Sequence, residues 1–155
     1  MNSSSRIRLA TELDSGGIAD VAEATGLFPR DALPDMMADY LKGSEKDIWL
    51  TADGPDGVVG FAYCEPERMT VGTWNLLAIG VMPAHQSRGV GSGLVQHLEE
   101  HLRQANHRIL LVETLGTDDY AQTRSFYVSK GFVEEARIRE FYDAGGDKVV
   151  FWKHL

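Results

Sequence analysis

A glycine-rich segment between a strongly apolar strand and an amphipathic helix constrains this sequence more than any other feature. The predicted strand, Thr73–Val81, is apolar at both parities, which is typical of a central strand covered on both faces. After the segment, residues 86–93, the apolar residues that fall on one helical face are Leu94, Val95, Leu98, Leu102 and Ala105. A turn from a strand into a helix directs free amide groups and the positive helix end at one place. The sequence therefore predicts an anion site in residues 86–93.

The rest of the chain alternates strand and helix patterns separated by turn residues. Strands are predicted at residues 6–10, 48–52, 58–64, 109–114, 133–142 and 148–153, and further helices at 14–26, 34–43 and 123–130. Gly26, Gly43 and Gly131 stand where these three helices should end. The order β α α β β β α β α β β predicts an α/β domain with a mixed sheet, antiparallel at its hairpins and parallel where a helix joins two strands.

Length and composition predict one globular domain, residues 6–155, preceded by a flexible Ser-rich tail at residues 1–5. The hydrophobic fraction of 43% allows a core of ordinary size. The formal net charge of −8 disfavours a nucleic-acid partner, because neutralising phosphates requires clustered Lys and Arg. The chain has no apolar run long enough for a membrane span, and its single cysteine, Cys64, cannot form an internal disulfide, so we expect a cytoplasmic protein. The oligomeric state stays open, a homodimer included.

The spacing of the glycines can be compared with the spacing that known phosphate-binding loops require. Gly89, Gly91 and Gly93 let the backbone approach phosphate oxygens without a Cβ in the way, and Arg88 adds positive charge. A Walker loop needs a Lys-Ser or Lys-Thr pair after its last glycine, where this chain has Leu94. A dinucleotide fingerprint needs a third glycine at the position that Leu94 also occupies. Both loops are therefore disfavoured, and a plain glycine-rich turn stays open.

Two motifs resemble those of the GNAT superfamily of N-acetyltransferases. The first is Q/R-x-x-G-x-G/A, which Gln86, Gly89 and Gly91 match, and it follows a strand that ends in the V-x-P step of Val81 and Pro83. The second is F-Y-V-S-K-G-F at residues 126–132, which is similar to the family's L-Y-x-x-x-G-F. The predicted element order is also that of the family, so the resemblance extends over nearly the whole chain.

The resemblance implies a GNAT-like fold whose central strands splay apart to hold acetyl-CoA as a co-substrate, with no metal. The pyrophosphate would lie on the glycine segment and the pantetheine arm along backbone groups of the fourth strand. The cofactor-binding residues implied in this way are Ile79, Val81, Gln86, Ser87, Arg88, Gly89, Val90, Gly91, Ser92, Gly93 and Tyr127. Many members carry Asn and Ala where this chain has Tyr120 and Thr123, so side-chain contacts to the cofactor are not carried over to those two positions.

The implied chemistry is direct attack by a neutral primary amine on the thioester in a ternary complex. This reaction requires alignment, a proton acceptor and stabilisation of the departing sulfur. Tyr127 matches the family tyrosine that acts as general acid, and a backbone amide such as that of Val81 would polarise the acetyl oxygen. For the base we favour Glu113, the one ionisable residue in an otherwise apolar strand. The alternative reading of Glu113 is a carboxylate paired with an arginine at the edge of the sheet, and Glu65 or a chain of waters could replace Glu113 as base.

Acceptor recognition should come from residues outside the two motifs, and the candidates are Phe28, Trp74, Asn75, Phe141 and Tyr142. Each of them fits ordinary packing equally well. We expect the acceptor amine to belong to a small molecule rather than a protein. The alternative function is a noncatalytic GNAT-fold module that binds acetyl-CoA as a sensor or interaction domain.

Residues 97–101 also spell H-x-x-E-H, a zinc-binding pattern of some proteases. At 100° per residue, Glu100 faces away from the apolar helical stripe, whereas His101 lies on it. The two side chains therefore point in different directions, and we expect His97 and His101 to be helix-surface or packing residues.

Overall fold

The computed structural model describes residues 6–155, and the predicted tail at residues 1–5 lies outside the described residues. In the described part, seven strands and four α-helices follow the predicted order, and parallel as well as antiparallel pairs occur in the sheet. The α/β fold class with a mixed sheet is therefore confirmed. The elements are β1 (Arg6–Leu9), α1 (Ser15–Thr25), α2 (Leu33–Leu41), β2 (Ile48–Gly54), β3 (Gly57–Pro66), β4 (Thr73–Val81), α3 (Val90–Gln104), β5 (Ile109–Leu115), α4 (Ala121–Ser129), β6 (Val133–Asp143) and β7 (Gly146–His154).

The first of two compact units comprises the residues up to Glu65 together with Leu77–His101. In this unit β1 pairs with β2 and β2 with β3, both antiparallel. The core is aromatic: the Trp49 ring stacks on Tyr63 at 4.1 Å and on Phe61 at 6.1 Å between centroids, and Ile18 of α1 is fully buried in the same cluster. Gly26 ends α1 with a φ of 69°, a left-handed conformation that glycine adopts at little cost.

The second unit comprises Pro66–Leu76 and Leu102–Leu155. The first half of β4 pairs parallel with β5, in a register that runs from Thr73↔Ile109 to Leu76↔Val112. β7 pairs antiparallel with both β5 and β6, so it lies between them although it follows β6 in the chain. Whether the whole chain behaves as one domain stays a prediction.

Two details of the predicted pattern were wrong. Leu77 of β4 is 48% exposed, so apolar residues at both parities do not mean that every one of them is covered. Leu77 faces the opposite side of the strand from its buried neighbours Leu76 and Ala78, and that side is left partly open to solvent. Ala105, expected on the apolar face of α3, is exposed because the helix ends at Gln104.

Candidate functional site

The glycine segment forms a sharp turn between β4 and α3. A short 3-10 helix, Pro83–His85, follows β4. The chain then passes through two left-handed residues, Ser87 with a φ of 63° and Gly89 with a φ of 84°, before α3 begins at Val90. A left-handed conformation is uncommon for serine, and such residues turn successive amide groups toward one side. The predicted strand-turn-helix arrangement is therefore present, with an unusually bent backbone just before the helix.

The first turn of α3 supplies main-chain N–H groups that have no hydrogen-bond partner within the helix. The Gly93 amide donates to the Gly89 carbonyl at 2.9 Å, so the helical hydrogen bonding begins there. In any α-helix, the amides before that first bond have no partner within the helix. These amides belong to Val90, Gly91 and Ser92, and the exposed Arg88 precedes them. Three free amides, a helix N-terminus and one guanidinium group fit an anion such as a pyrophosphate.

The three glycines of the segment do not have the same role. Gly89 needs its left-handed φ, and a Cβ there would meet nothing within 4 Å. At Gly93 a Cβ would come within 2.8 Å of one atom, Ile7 Cδ1, which is the movable end of a side chain. Since the Gly93 amide is used inside the helix, its predicted contact with the cofactor has less geometric support than those of Gly89 and Gly91.

The Gln86 side chain fastens the segment to the end of β4. Its Nε2 donates to the main-chain oxygen of Val81 at 3.0 Å. A carbonyl oxygen has two lone pairs, so the Val81 oxygen keeps one position for another donor. The structure thus gives Gln86 a contact within the protein, where the sequence predicted only a contact to the cofactor.

Tyr127 lies in the second unit, on α4, among aromatic rings. Its side chain is 3% exposed, and ring centroids of Phe126, Phe132 and Phe151 lie 5.3, 5.6 and 5.7 Å away. Burial raises the pKa of the Tyr127 hydroxyl above its ordinary value, because the phenolate would lose its hydration. The hydroxyl therefore keeps its proton at neutral pH, as a general acid must.

Glu113 belongs to a polar network in the second unit. The Lys148 ammonium lies 2.8 Å from Glu113 Oε2 and 4.2 Å from the centre of the Phe141 ring. Asn75 Nδ2 donates to Glu113 Oε1 at 3.0 Å and to Glu67 Oε1 at 2.9 Å. The sequence left two readings of Glu113 open, a base and an ion-paired carboxylate. The structure pairs Glu113 with Lys148 and not with the expected arginine, and a proton-accepting role would compete with that contact.

The weaker candidate base, Glu65, lies in the first unit at the end of β3. It accepts a hydrogen bond from the Tyr63 hydroxyl. Burial first, and then this bond to Glu65, raises the pKa of Tyr63 above its ordinary value. Glu65 thus has a protonated phenol as its neighbour.

The predicted acceptor residues occupy different surroundings. Phe28 packs edge-on against Phe61 in the core of the first unit, with ring centroids 5.9 Å apart. Trp74 is 5% exposed and lies 5.0 Å from the His107 ring. Because successive strand residues face opposite sides, Asn75 points away from the side that Trp74 packs against. Phe141 and Tyr142 are 52% and 46% exposed, which leaves both rings available to a ligand.

Comparisons with known proteins bear on this geometry. The model of the acetyltransferase (GNAT) domain matches residues 44–134, which is more than half of the chain. The chain belongs to the GNAT acetyltransferase family. A GNAT-family protein of known structure from Desulfovibrio desulfuricans is 30% identical, with a TM-score of 0.89 over 96% of this chain and 98% of that one. Comparison with curated proteins found no sequence match.

Two further solved GNAT structures share the fold at low identity. An aminoglycoside 6'-N-acetyltransferase complexed with coenzyme A is 16% identical, with a TM-score of 0.81 over 96% of both chains. A ribosomal-protein-alanine N-acetyltransferase from Brucella melitensis is 20% identical, with a TM-score of 0.81 over 97% of this chain and 99% of that one. Proteins of this fold are thus named for a small-molecule acceptor in one case and for a protein acceptor in the other, and the fold does not choose between them.

Several residues of this GNAT chain make contacts that were not predicted from the sequence. Glu67 and Lys148 flank Asn75 and Glu113, but each is separated from its partner by residues that carry no motif. Arg124 donates from Nη1 to the carbonyl oxygens of Leu115 and Thr117, at 2.8 and 2.7 Å, and so fixes the turn between β5 and α4. The Glu113–Lys148 contact follows from the pairing of β5 with β7, and the Arg124 contacts follow from the turn of the chain from β5 into α4, so no motif in the sequence indicated them.

The side chains of this GNAT domain form no metal-ligand cluster in the part of the chain that the structure describes. Within residues 6–155, no group of three or more His, Cys, Asp or Glu side chains is arranged to hold a metal ion. His97 is exposed and His101 is partly buried on α3. None of the helices in the same range is both long and apolar enough to cross a membrane.

Proposed function

We propose that this GNAT protein is an acetyl-CoA-dependent N-acetyltransferase that acts on a primary amine by direct attack in a ternary complex. The observation that carries the proposal is the turn at residues 86–92, in which a left-handed Gly89 leads into the three free amides at the start of α3. A relative of the same fold has been crystallised with coenzyme A, which supports the choice of ligand.

The turn would hold the pyrophosphate of acetyl-CoA. The amides of Val90, Gly91 and Ser92 donate to phosphate oxygens, and Arg88 adds a charge-assisted contact. Backbone groups of Ile79 and Val81 would bind the pantetheine arm. In the described residues, the β4–β5 register extends no further than Leu76↔Val112, which supports a role for the second half of β4 in binding another extended segment. Acetyl-CoA supplies the activated acyl group as a thioester.

Tyr127 would act as the general acid. At neutral pH the phenol carries its proton, which would pass to the sulfur as the C–S bond breaks and the thiol forms. Because burial raises its pKa, the phenol is a weak donor, and the transfer depends on the negative charge that develops on the sulfur. The surrounding aromatic rings fix the ring of Tyr127 in one place, which favours proton transfer along a defined direction.

Glu113 would accept the proton that the amine must lose before it attacks. Its carboxylate is held by Asn75 and Lys148, both of which orient it. Glu65 or a chain of waters remains the alternative route. The acceptor is expected to be a small molecule, and the cytoplasmic location and the oligomeric state stay predictions from the sequence.

The test is incubation of the protein with acetyl-CoA and a broad panel of primary amines while free thiol is followed. Thiol release that depends on an amine supports the proposal. Binding of acetyl-CoA without amine-dependent release for any member of the panel would favour the noncatalytic sensor or interaction module instead.

A further inference from the structure

Asn75 sits between two carboxylates in the second unit. Its side chain is 3% exposed, and its Nδ2 lies within 3.0 Å of both Glu67 Oε1 and Glu113 Oε1. Carboxylates only accept hydrogen bonds, so this environment fixes which end of the amide is the nitrogen. The other end, Oδ1, is buried and has no hydrogen-bond partner. A buried acceptor left without a donor is costly, and it indicates that a donor is missing.

The charges of this network do not cancel. Lys148 compensates Glu113 through the contact at 2.8 Å. Among residues 6–155, Glu67 has no cationic partner; its carboxylate accepts only the Asn75 amide. The Glu67 and Glu113 carboxylates accept from the same Asn75 nitrogen and repel each other. The charge of Glu67 is the one that no cation compensates. A single added cation would neutralise the group.

The surroundings of Glu113 are aromatic and open to solvent. The Phe141 ring covers Lys148, and Tyr142 is close enough that burial, followed by the charge of Glu113, raises the pKa of its hydroxyl. Both rings are about half exposed. An apolar group joined to a cation could therefore pack on these rings while the cation lies at the carboxylates.

From this arrangement we infer that Glu67 and Asn75 bind the acceptor as an ammonium ion beside Glu113, and that the acceptor is a cationic primary amine with an apolar or aromatic group. This inference rests on the proposed function and names the substrate class of the same site. An ammonium has three N–H donors, which match the two carboxylates and the buried Asn75 oxygen. Transfer of one N–H proton to Glu113 leaves the electron pair of that bond on nitrogen, and the neutral amine attacks the thioester carbon with this lone pair once it has turned from Glu113.

Glu67 has a binding role here rather than a structural one, and the two roles predict opposite effects on stability. Removing the charge of Glu67 relieves repulsion, so Glu67→Gln should leave the unfolding temperature unchanged or raise it. The same change should weaken amine binding about tenfold or more, since a charge-assisted hydrogen bond to the ammonium is lost. Glu135→Gln is the matched control, because Glu135 is an exposed residue of the same unit.

The experiment compares the binding of 2-phenylethylamine and of its uncharged analogue 2-phenylethanol by calorimetry, on the full chain in the presence of coenzyme A. A separate assay with acetyl-CoA in place of coenzyme A measures thiol release. We expect wild type and Glu135→Gln to bind the amine at least about tenfold more tightly than the alcohol, and Glu67→Gln to lose this preference. Equal affinity for both compounds in wild type, an unchanged preference in Glu67→Gln or a lowered unfolding temperature of Glu67→Gln would overturn the inference. Acetyl transfer without the preference overturns only this inference, whereas the preference without any transfer overturns the proposed function and the acceptor role with it.

Discussion

The side-chain amide of Gln86 donates to the main-chain oxygen of Val81 at 3.0 Å, and this contact joins the turn before α3 to the end of β4. It connects the two parts of the first unit to which cofactor binding is assigned. The Q/R of the family motif is thus placed to hold the turn in shape, which is a different task from contacting a phosphate.

Gln86→Ala tests this positioning role. The loss of one exposed hydrogen bond should weaken acetyl-CoA binding about fivefold, because the turn must then be ordered on binding. Gln96→Ala is the control, since Gln96 is exposed on α3 away from its first turn. Calorimetric titration with acetyl-CoA measures both. Equal affinities for the two variants would show that the contact with Val81 does not matter for binding.

Gly91→Val should block the anion site. The new side chain projects from the first turn of α3 among the three free amides, and the loss of two phosphate contacts predicts at least about 100-fold weaker acetyl-CoA binding. Gly16→Val is a close match, because Gly16 is also the second residue of an α-helix and a Cβ there meets nothing within 4 Å. It should bind acetyl-CoA as wild type does. If both valine variants bind with wild-type affinity, the first turn of α3 is not the pyrophosphate site.

Tyr127→Phe should lower kcat about 100-fold and leave the affinity for acetyl-CoA unchanged. The ring stays in its aromatic cluster, so only the hydroxyl proton is lost. Tyr40→Phe serves as control: it removes a partly buried hydroxyl that donates to the Ala10 carbonyl, and it should affect stability rather than turnover. Steady-state kinetics and thermal unfolding separate the two effects. Wild-type kcat in Tyr127→Phe would remove its role as acid.

Lowering the pH should destabilise the first unit, because it protonates the Asp14 carboxylate. The hydrogen bonds from Arg8, at 2.7 and 2.8 Å, hold the pKa of Asp14 below its ordinary value. A lowered pKa in the folded state gives stability that is present above the unfolded value of about 4 and is lost as pH falls through the folded value. At pH 7, Asp14→Asn should lower the free energy of unfolding by about 2 kcal/mol.

The difference between wild type and Asp14→Asn should shrink as the pH is lowered below about 4, because protonation of Asp14 then removes the same charge. Asp31→Asn, an exposed site in the same unit, is the control. Urea unfolding at a series of pH values measures all three proteins. A difference that is constant from pH 7 to pH 2 would mean that the charge of Asp14 does not stabilise the fold.

The order of elements could be predicted because local signals determine it. Gly26, Gly43 and Gly131 have left-handed φ angles of 69°, 92° and 91°, which is why glycine marked the helix ends correctly. The position of β7 between β5 and β6 could not be predicted, because a hairpin can join a sheet by either of its strands.

In the candidate site, too, the parts that depend on local sequence could be predicted and the parts that depend on distant residues could not. The turn proposed to bind the anion is local, so its strand-turn-helix shape could be predicted from the spacing of Gln86, Gly89 and Gly91. The contacts of Asn75 join residues 8 and 38 positions apart, and strand pairing alone creates them. Trp74 and Asn75 are adjacent in β4 and face opposite sides of the sheet, and the acceptor role of each stays a prediction.

The central claim is that this chain moves an acetyl group from acetyl-CoA to an amine nitrogen. The most direct measurement is a reaction with acetyl-CoA labelled with carbon-13 in the acetyl group and a panel of cationic arylalkylamines, in which free thiol and labelled acetamide are quantified together. The account predicts one acetamide for each thiol released with wild type, and a much slower reaction with Tyr127→Phe. Saturable binding of acetyl-CoA with no labelled acetamide from any amine would contradict it.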